Sequence, residues 1–218
     1  LVISTDRVGQ RVPQHRNAID AAVRAGVGHI LYTSSVNPVE ESPVAVNDDH
    51  RQTELALAAS GIPFTALRNA LYVDLQVPDA LAAAATGKFV TNQGKGRFAP
   101  VSRADCAAAA AGALVTEDPL DRTYDVTGPE LIDAATQAEL FGRLAGIDVE
   151  VVDIDDEAFA ANAVEHGVPA EMAPALTSFG TGIRQGYLES VTDAVEKLAG
   201  RPAAGFQESL EPMVAAAG

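Results

Sequence analysis

Three short apolar runs each end in small polar or charged residues. Leu1-Val2-Ile3 leads into Ser4-Thr5-Asp6-Arg7, His29 to Tyr32 into Thr33-Ser34-Ser35, and Phe64 to Leu67 into Arg68-Asn69. Hydroxyls, an amide and a guanidinium at such places can hold a sugar or a phosphate, because ligands of open parallel α/β sheets lie beyond the carboxyl ends of the strands. If the first run is a strand, Thr5, Asp6 and Arg7 face that crevice, and Val8 adds backbone or apolar contact. Thr33 offers a hydroxyl to a ligand; a strand-end cap satisfying its own backbone explains it equally well. Asn69-Ala70-Leu71-Tyr72 follows the third run, where the Tyr72 ring is a flat face for stacking and the apolar members could equally be core. Arg68 is read as structural, paired with a helix carboxylate.

Other chemistries find less support. His15, His29, His50 and His166 stand far apart, with no spacing to one another or to a cysteine that would make a metal site. The single cysteine, Cys106, lies among alanines as a packing residue; no disulfide can form within the chain, and a reducing cytoplasm is the expected compartment. Asp153, Asp155, Asp156 and Glu157 open a helix, where negative charge suits the backbone dipole, so a solvated cap is expected. Arg103 and Asp105 are expected to pair with each other at a helix start. A net charge of −15, with 3 lysines against 12 arginines, argues against nucleic acid or an anionic membrane as partner.

These side chains need elements to place them. A helix carrying Ile19, Ala22 and Val23 on one face stops at Gly26, and a second, capped by Asn47 with Asp48-Asp49 behind it, closes at Gly61. The strands between them do not alternate polar with apolar residues, as expected of central parallel strands covered on both faces. A helix from Leu75 to Thr86, a tight hairpin through Lys88 to Val101 containing Gly94-Lys95-Gly96-Arg97, and a helix capped by Ser102 follow. A strand over Thr123 to Val126, a helix over Asp133 to Ala145 and a strand over Val149 to Asp153 precede an all-helical end.

Several strings stand in one order over essentially the whole chain: Val8-Gly9-Gln10-Arg11-Val12-Pro13-Gln14-His15-Arg16-Asn17, Gly28-His29-Ile30-Leu31-Tyr32-Thr33-Ser34, Asp48-Asp49-His50, Ser60-Gly61-Ile62-Pro63-Phe64-Thr65-Ala66-Leu67-Arg68-Asn69 and Ser102-Arg103-Ala104-Asp105. In that order they resemble the NmrA-like branch of atypical short-chain dehydrogenases, and within it the NAD(P)H:quinone oxidoreductase type 2 proteins. The resemblance implies an α/β fold, the C-terminal portion of a Rossmann-like doubly wound parallel sheet with a small, mainly helical substrate lobe. Residues 1–150 would be an incomplete NAD(P)-binding domain with interleaved substrate-lobe segments, and 151–218 the helical C-terminal lobe. Leu1 would open the fourth strand. The glycine loop for the pyrophosphate and the residue reading the ribose 2′-phosphate would then precede it, in on the order of 70 to 90 residues at roughly 30 per strand-helix unit. On that expectation the chain alone binds cofactor poorly.

The resemblance also implies a cofactor, NADPH with NADH not excluded, and residues to hold it: Thr5, Asp6, Arg7, Val8, Thr33, Asn69, Ala70, Leu71, Tyr72 and Arg97. Tyr72 and His50 would line the substrate pocket. The family's Tyr-x-x-x-Lys pair is missing, its places falling on Val46 and His50. Quinone reduction tolerates this loss, since positioning supplies most of the catalysis. His50 is either a proton donor near neutral pH or an exposed first-turn residue. The expected activity is hydride transfer from NAD(P)H to a quinone or similar flat acceptor, in a cytoplasmic protein with room for a homodimer. The alternative is a non-catalytic redox sensor that binds dinucleotide and acts through a protein partner.

Overall fold

The computed structural model describes residues 1–5, 9–117, 120 and 122–217. Helix α1 (Arg11–Arg24) leads to strand β1 (Ile30–Ser35), α2 (Asn47–Ala59) and β2 (Phe64–Asn69). A 3-10 turn (Val73–Gln76) runs into α3 (Val77–Thr86), followed by β3 (Lys88–Thr91), α4 (Arg103–Val115), β4 (Thr123–Val126), α5 (Ala134–Ala145) and β5 (Glu150–Asp153). Four helices close the order: α6 (Asp156–Glu165), α7 (Ala173–Arg184), α8 (Ala194–Ala199) and α9 (Phe206–Ala217).

The main sheet is parallel, in the order β1-β2-β4, and Val2 bridges Tyr32 in parallel. Its residues serve two faces. Ile30, Tyr32, Phe64 and Ala66 pack with Ile19 of α1 and Leu57 of α2, while Leu31 and Leu67 belong to the larger core that includes Ala109 and Ala113 of α4. Burial on both faces explains why these strands show no polar alternation. The strands also run further than the apolar runs do. Ser34 pairs with Arg68 and Ser35 with Asn69, so the polar clusters are the last ladder residues.

Caps follow the expected chemistry at α4 and α6, where Ser102 and Asp155 accept from the backbone N–H groups of Asp105 and Ala158. Asn47 differs. It is fully buried, and its amide donates to the Val36 and Asn37 carbonyls and to Ser42, tying down the loop after β1 instead of capping α2.

The expected hairpin over Lys88 to Val101 is not formed. β3 pairs in parallel with β5, because Phe89 must bury against Phe141, at 5.2 Å between ring centroids. After a turn in which the Gly96 N–H reaches the Gln93 carbonyl, the returning chain bridges elsewhere, Phe98 to Ile132 and Val101 to Tyr72. Gly96 is required there, since a Cβ would overlap the Ile183 carbonyl.

Candidate functional site

A cleft of about 690 Å³ opens beyond the carboxyl ends of the main-sheet strands. That volume is within the range of cofactor and small-ligand sites. The sheet supplies its floor through Ser4, Thr5, Thr33 and Asn69, while Ala70, Leu71 and Tyr72 continue it; α1 contributes Arg11, α2 His50, α4 Arg103, Cys106 and Ala110, and α7 Phe179. Of the residues expected from sequence, Thr5, Thr33, Asn69, Ala70, Leu71, Tyr72 and His50 therefore meet in one place. Asp6, Arg7 and Val8 lie outside the described residues. Arg97 is not at the cleft: it is about half exposed and ion-paired with Glu189, because the turn at Gly96 carries it to that side chain.

The backbone of the central segment is firmly held. Ala70 N–H donates to the Val126 carbonyl, Val101 N–H to Leu71 and Val73 N–H to Val101, so Tyr72 is fixed by a strand-like pairing outside the main sheet. Asn69 Nδ2 donates to the Tyr72 hydroxyl at 3.1 Å, and the Arg103 guanidinium stands 5.1 Å from the Tyr72 ring centroid. Burial raises the Tyr72 pKa, so the phenol keeps its proton across neutrality. With its oxygen accepting from Asn69, that proton is left to donate. Contrary to the expectation from sequence, Arg103 does not pair with Asp105. It leans to Asp74 at 3.5 Å, whereas Asp105 is buried and receives Arg201, the Ser102 hydroxyl and the Ala204 N–H.

Behind the sheet ends lies a buried polar network. Thr53 Oγ1 donates to the Asp49 carbonyl, so at its 2.9 Å contact with His15 Nδ1 it accepts, and His15 carries its proton on Nδ1. His15 Nε2 is then the acceptor for the Thr5 N–H, at 3.3 Å. Arg11 Nε donates to the Thr5 carbonyl at 2.7 Å, and Ser4 N–H to Thr33 Oγ1 at 2.8 Å. The chain at the end of the first run is thus held from three sides.

His50 corrects both sequence expectations. It is 6 % exposed, and burial, followed by the nearby charge of Arg11, pushes its pKa down to about 3. It is a neutral imidazole at physiological pH, not an exposed residue and not an imidazolium acid. Its Nδ1 lies 2.8 Å from the hydroxyl of Tyr32, a fully buried phenol whose pKa burial pushes up to about 12. The phenol is the better donor and the imidazole nitrogen the better acceptor, which puts the His50 proton on Nε2.

Ser34 and Arg68 do structural duty. Both bind Glu54, Arg68 through two hydrogen bonds of 3.0 and 2.7 Å, as expected for Arg68. Cys106 is an inert lining thiol, its pKa pushed up to about 12 by burial. Ser4, Arg11, Arg103 and Phe179 are cleft residues that sequence reasoning did not select. Ser4 and Arg11 flank the selected Thr5–Val8 stretch and were within reach of the strand-end argument; nothing in the sequence places Phe179, 110 positions after Asn69, at the same cleft.

Three polar atoms on cleft residues are buried with no hydrogen-bond partner among the described residues: Thr5 Oγ1, Arg11 Nη1 and Asn69 Oδ1. Buried polar atoms are nearly always satisfied, so this set marks a place where a polar ligand completes the bonding. A hydroxyl, a cationic donor and an amide acceptor fit the ribose and carboxamide of a nicotinamide nucleotide.

No protein-family model matches the sequence. Quinone oxidoreductase 2 of Escherichia coli is 36% identical over 210 residues, covering 96% of this chain and 73% of that protein. The NAD(P)H azoreductase of Xenophilus azovorans is 28% identical over 216 residues, 99% of this chain and 76% of that protein. Among solved structures, the NADPH-dependent quinone oxidoreductase of Escherichia coli complexed with NADPH superposes with a TM-score of 0.91 at 35% identity, over 97% of this chain and 74% of that one. The Citrobacter sp. triphenylmethane reductase complexed with NADP(H) gives 0.89 at 31% identity, over 97% and 75%. With the parallel sheet, the strand-end cleft and relatives of this identity and coverage, the chain belongs to the NmrA-like family of atypical short-chain dehydrogenases, in its quinone oxidoreductase 2 branch.

Proposed function

We propose that the protein is an NADPH-dependent oxidoreductase that reduces quinones or similar flat acceptors in this cleft. The observation that carries the reading is the set of three polar atoms at the strand ends with no partner among the described residues, next to an aromatic ring whose hydroxyl proton is left to donate. NADPH, when bound, supplies the hydride.

The chain's own residues do the rest. Ser4, Thr5 and Arg11 bind at the end of the first run, and Thr33, whose oxygen already accepts from Ser4, has its own proton to give a ribose oxygen. Asn69 Oδ1 accepts from a carboxamide N–H while Asn69 Nδ2 holds Tyr72. The Tyr72 ring positions the acceptor. Its O–H, and the Nε2–H of neutral His50, can hydrogen-bond the acceptor oxygens as negative charge develops on them; preorganised donors of this kind stabilise the transition state without reorganising. Leu71, Leu75 and Phe179 give that end of the cleft an apolar wall that limits water. The compartment we infer is the cytoplasm, supported by the single, buried cysteine.

The test is oxidation of NADPH, followed at 340 nm, by the full-length protein with a panel of benzoquinones and naphthoquinones. Turnover with quinones is the expected result. Tight NADPH binding without turnover on any acceptor would overturn it in favour of a dinucleotide sensor acting through a protein partner.

A further inference from the structure

Leu71, Leu75 and Phe179 line the cleft and also a second, smaller cavity of about 90 Å³. Its remaining apolar wall is largely aromatic, Phe89, Phe98 and Phe159, with Leu176 at the rim, 41% exposed on α7. Amide side chains reach it too, but they are already engaged. Gln93 Nε2 donates to Gln137 Oε1 at 2.8 Å, and Gln137 in turn to Gln76. Asn92 Nδ2 donates to Asp156 Oδ1 at 2.8 Å and to the Thr177 carbonyl at 2.9 Å. A group entering this space therefore meets phenyl rings, leucines and amides that already have partners, and selection is by shape and apolarity. A water takes about 30 Å³ of the liquid, so the space holds roughly three waters or a group of about five carbons.

We propose that this side cavity receives an apolar substituent of the acceptor, a short alkyl chain or a single prenyl unit, while the acceptor ring lies in the main cleft against Tyr72. The inference rests on the quinone reading above and deepens it. Leu71 and Phe179, standing between the two spaces, form the passage.

The experiment compares 2,3-dimethoxy-5-methyl-1,4-benzoquinone with the same ring bearing one prenyl unit, using the full-length protein. Two measurements are made: KM in NADPH oxidation, and retention of each quinone in equilibrium dialysis without NADPH. The prenyl chain is expected to lower KM about tenfold or more and to raise retention similarly, as burial of a few carbons in a fitted apolar pocket does. Leu176→Trp, which projects an indole into the cavity from an exposed helix position, is expected to bring both ratios close to one. A chain of equal length ending in a carboxylate should gain nothing. Equal KM and equal retention for the two quinones in the unaltered protein would overturn the side cavity, as would ratios unmoved by Leu176→Trp. Preferential retention with no NADPH oxidation by either quinone would instead overturn the enzymatic reading and leave the cavity standing.

Discussion

At the scale of single residues, the cleft is defined by what each polar atom has left to offer. The Tyr72 oxygen is occupied by Asn69, leaving its proton, and Asn69 Oδ1 has no partner among the described residues. If the hydroxyl assists the acceptor, Tyr72→Phe lowers kcat about tenfold or more with little effect on KM, whereas Tyr72→Ala, which also removes the stacking face, raises KM as well; steady-state kinetics on one quinone separates the two. His50 makes a prediction about stability. Its pKa, about 3 in the fold against 6.5 when unfolded, means that the unfolded chain binds the extra proton first as pH falls. Its contribution is complete above pH 6.5 and is lost on acidification toward pH 3, by on the order of 5 kcal/mol at most. His15, lowered by burial and by Arg11, acts with the same sign. Thermal melts from pH 7 to pH 4 should therefore fall more steeply for the parent than for His50→Gln. Such roles were only partly legible. The residue types at the ends of the apolar runs announced a ligand crevice, but the burial that makes His50 neutral depends on Tyr32, a strand away.

At the scale of elements, helices and strands followed local rules closely, because capping serines and aspartates, terminal glycines and apolar spacing act within a few residues. Ser102 caps α4, Asp155 caps α6, and α3 and α5 end at Gly87 and Gly146 with φ of 71° and 70°. What those rules could not supply is which elements meet. The passage from Lys88 has the turn residues of a hairpin, yet β3 pairs with β5, 62 residues on at Lys88 and Glu150. Helix α4 approaches α8 so closely that a Cβ at Gly112 would overlap the Leu198 carbonyl. Gly112→Ala should therefore destabilise the protein by about 1–3 kcal/mol, even though alanine favours an isolated helix; chemical denaturation measures this, and a gain in stability would contradict the close approach.

At the scale of the whole molecule, ion pairs between distant segments join the cleft's walls. Asp156 was expected to be a solvated cap. It binds Arg184 at 3.0 Å, Asn92 and Thr181, and the Arg184 contact pulls its pKa down to about 2. This joins α6, α7 and the end of β3, and α7 carries Phe179 to the cleft. Asp105 does the same for α4. It is 1% exposed and takes Arg201 at 2.6 Å together with the Ala204 N–H. Asp105→Ala leaves Arg201 and that N–H without their partner, and a loss on the order of 3 kcal/mol is expected in denaturant unfolding; a loss below 1 kcal/mol would mean that the pair is not integral to the fold. No helix among the described residues is long and apolar enough to cross a membrane.

By itself the sequence determined the order and type of the elements outside the passage from Lys88 to Val101, the parallel character of the main sheet and the strand ends where chemistry could occur. Each of these follows from neighbours in the chain: apolar runs without alternation, caps and polar clusters directly after the runs. Tertiary structure alone decided that Arg97 turns to Glu189 while Arg103 stands over Tyr72, that His50 is buried and neutral, and that Phe179 walls the cleft. The physical reason is the same in every case. Burial, ion-pair choice and the shape of a cavity depend on side chains brought together from positions tens of residues apart, and local sequence carries no record of that distance in space.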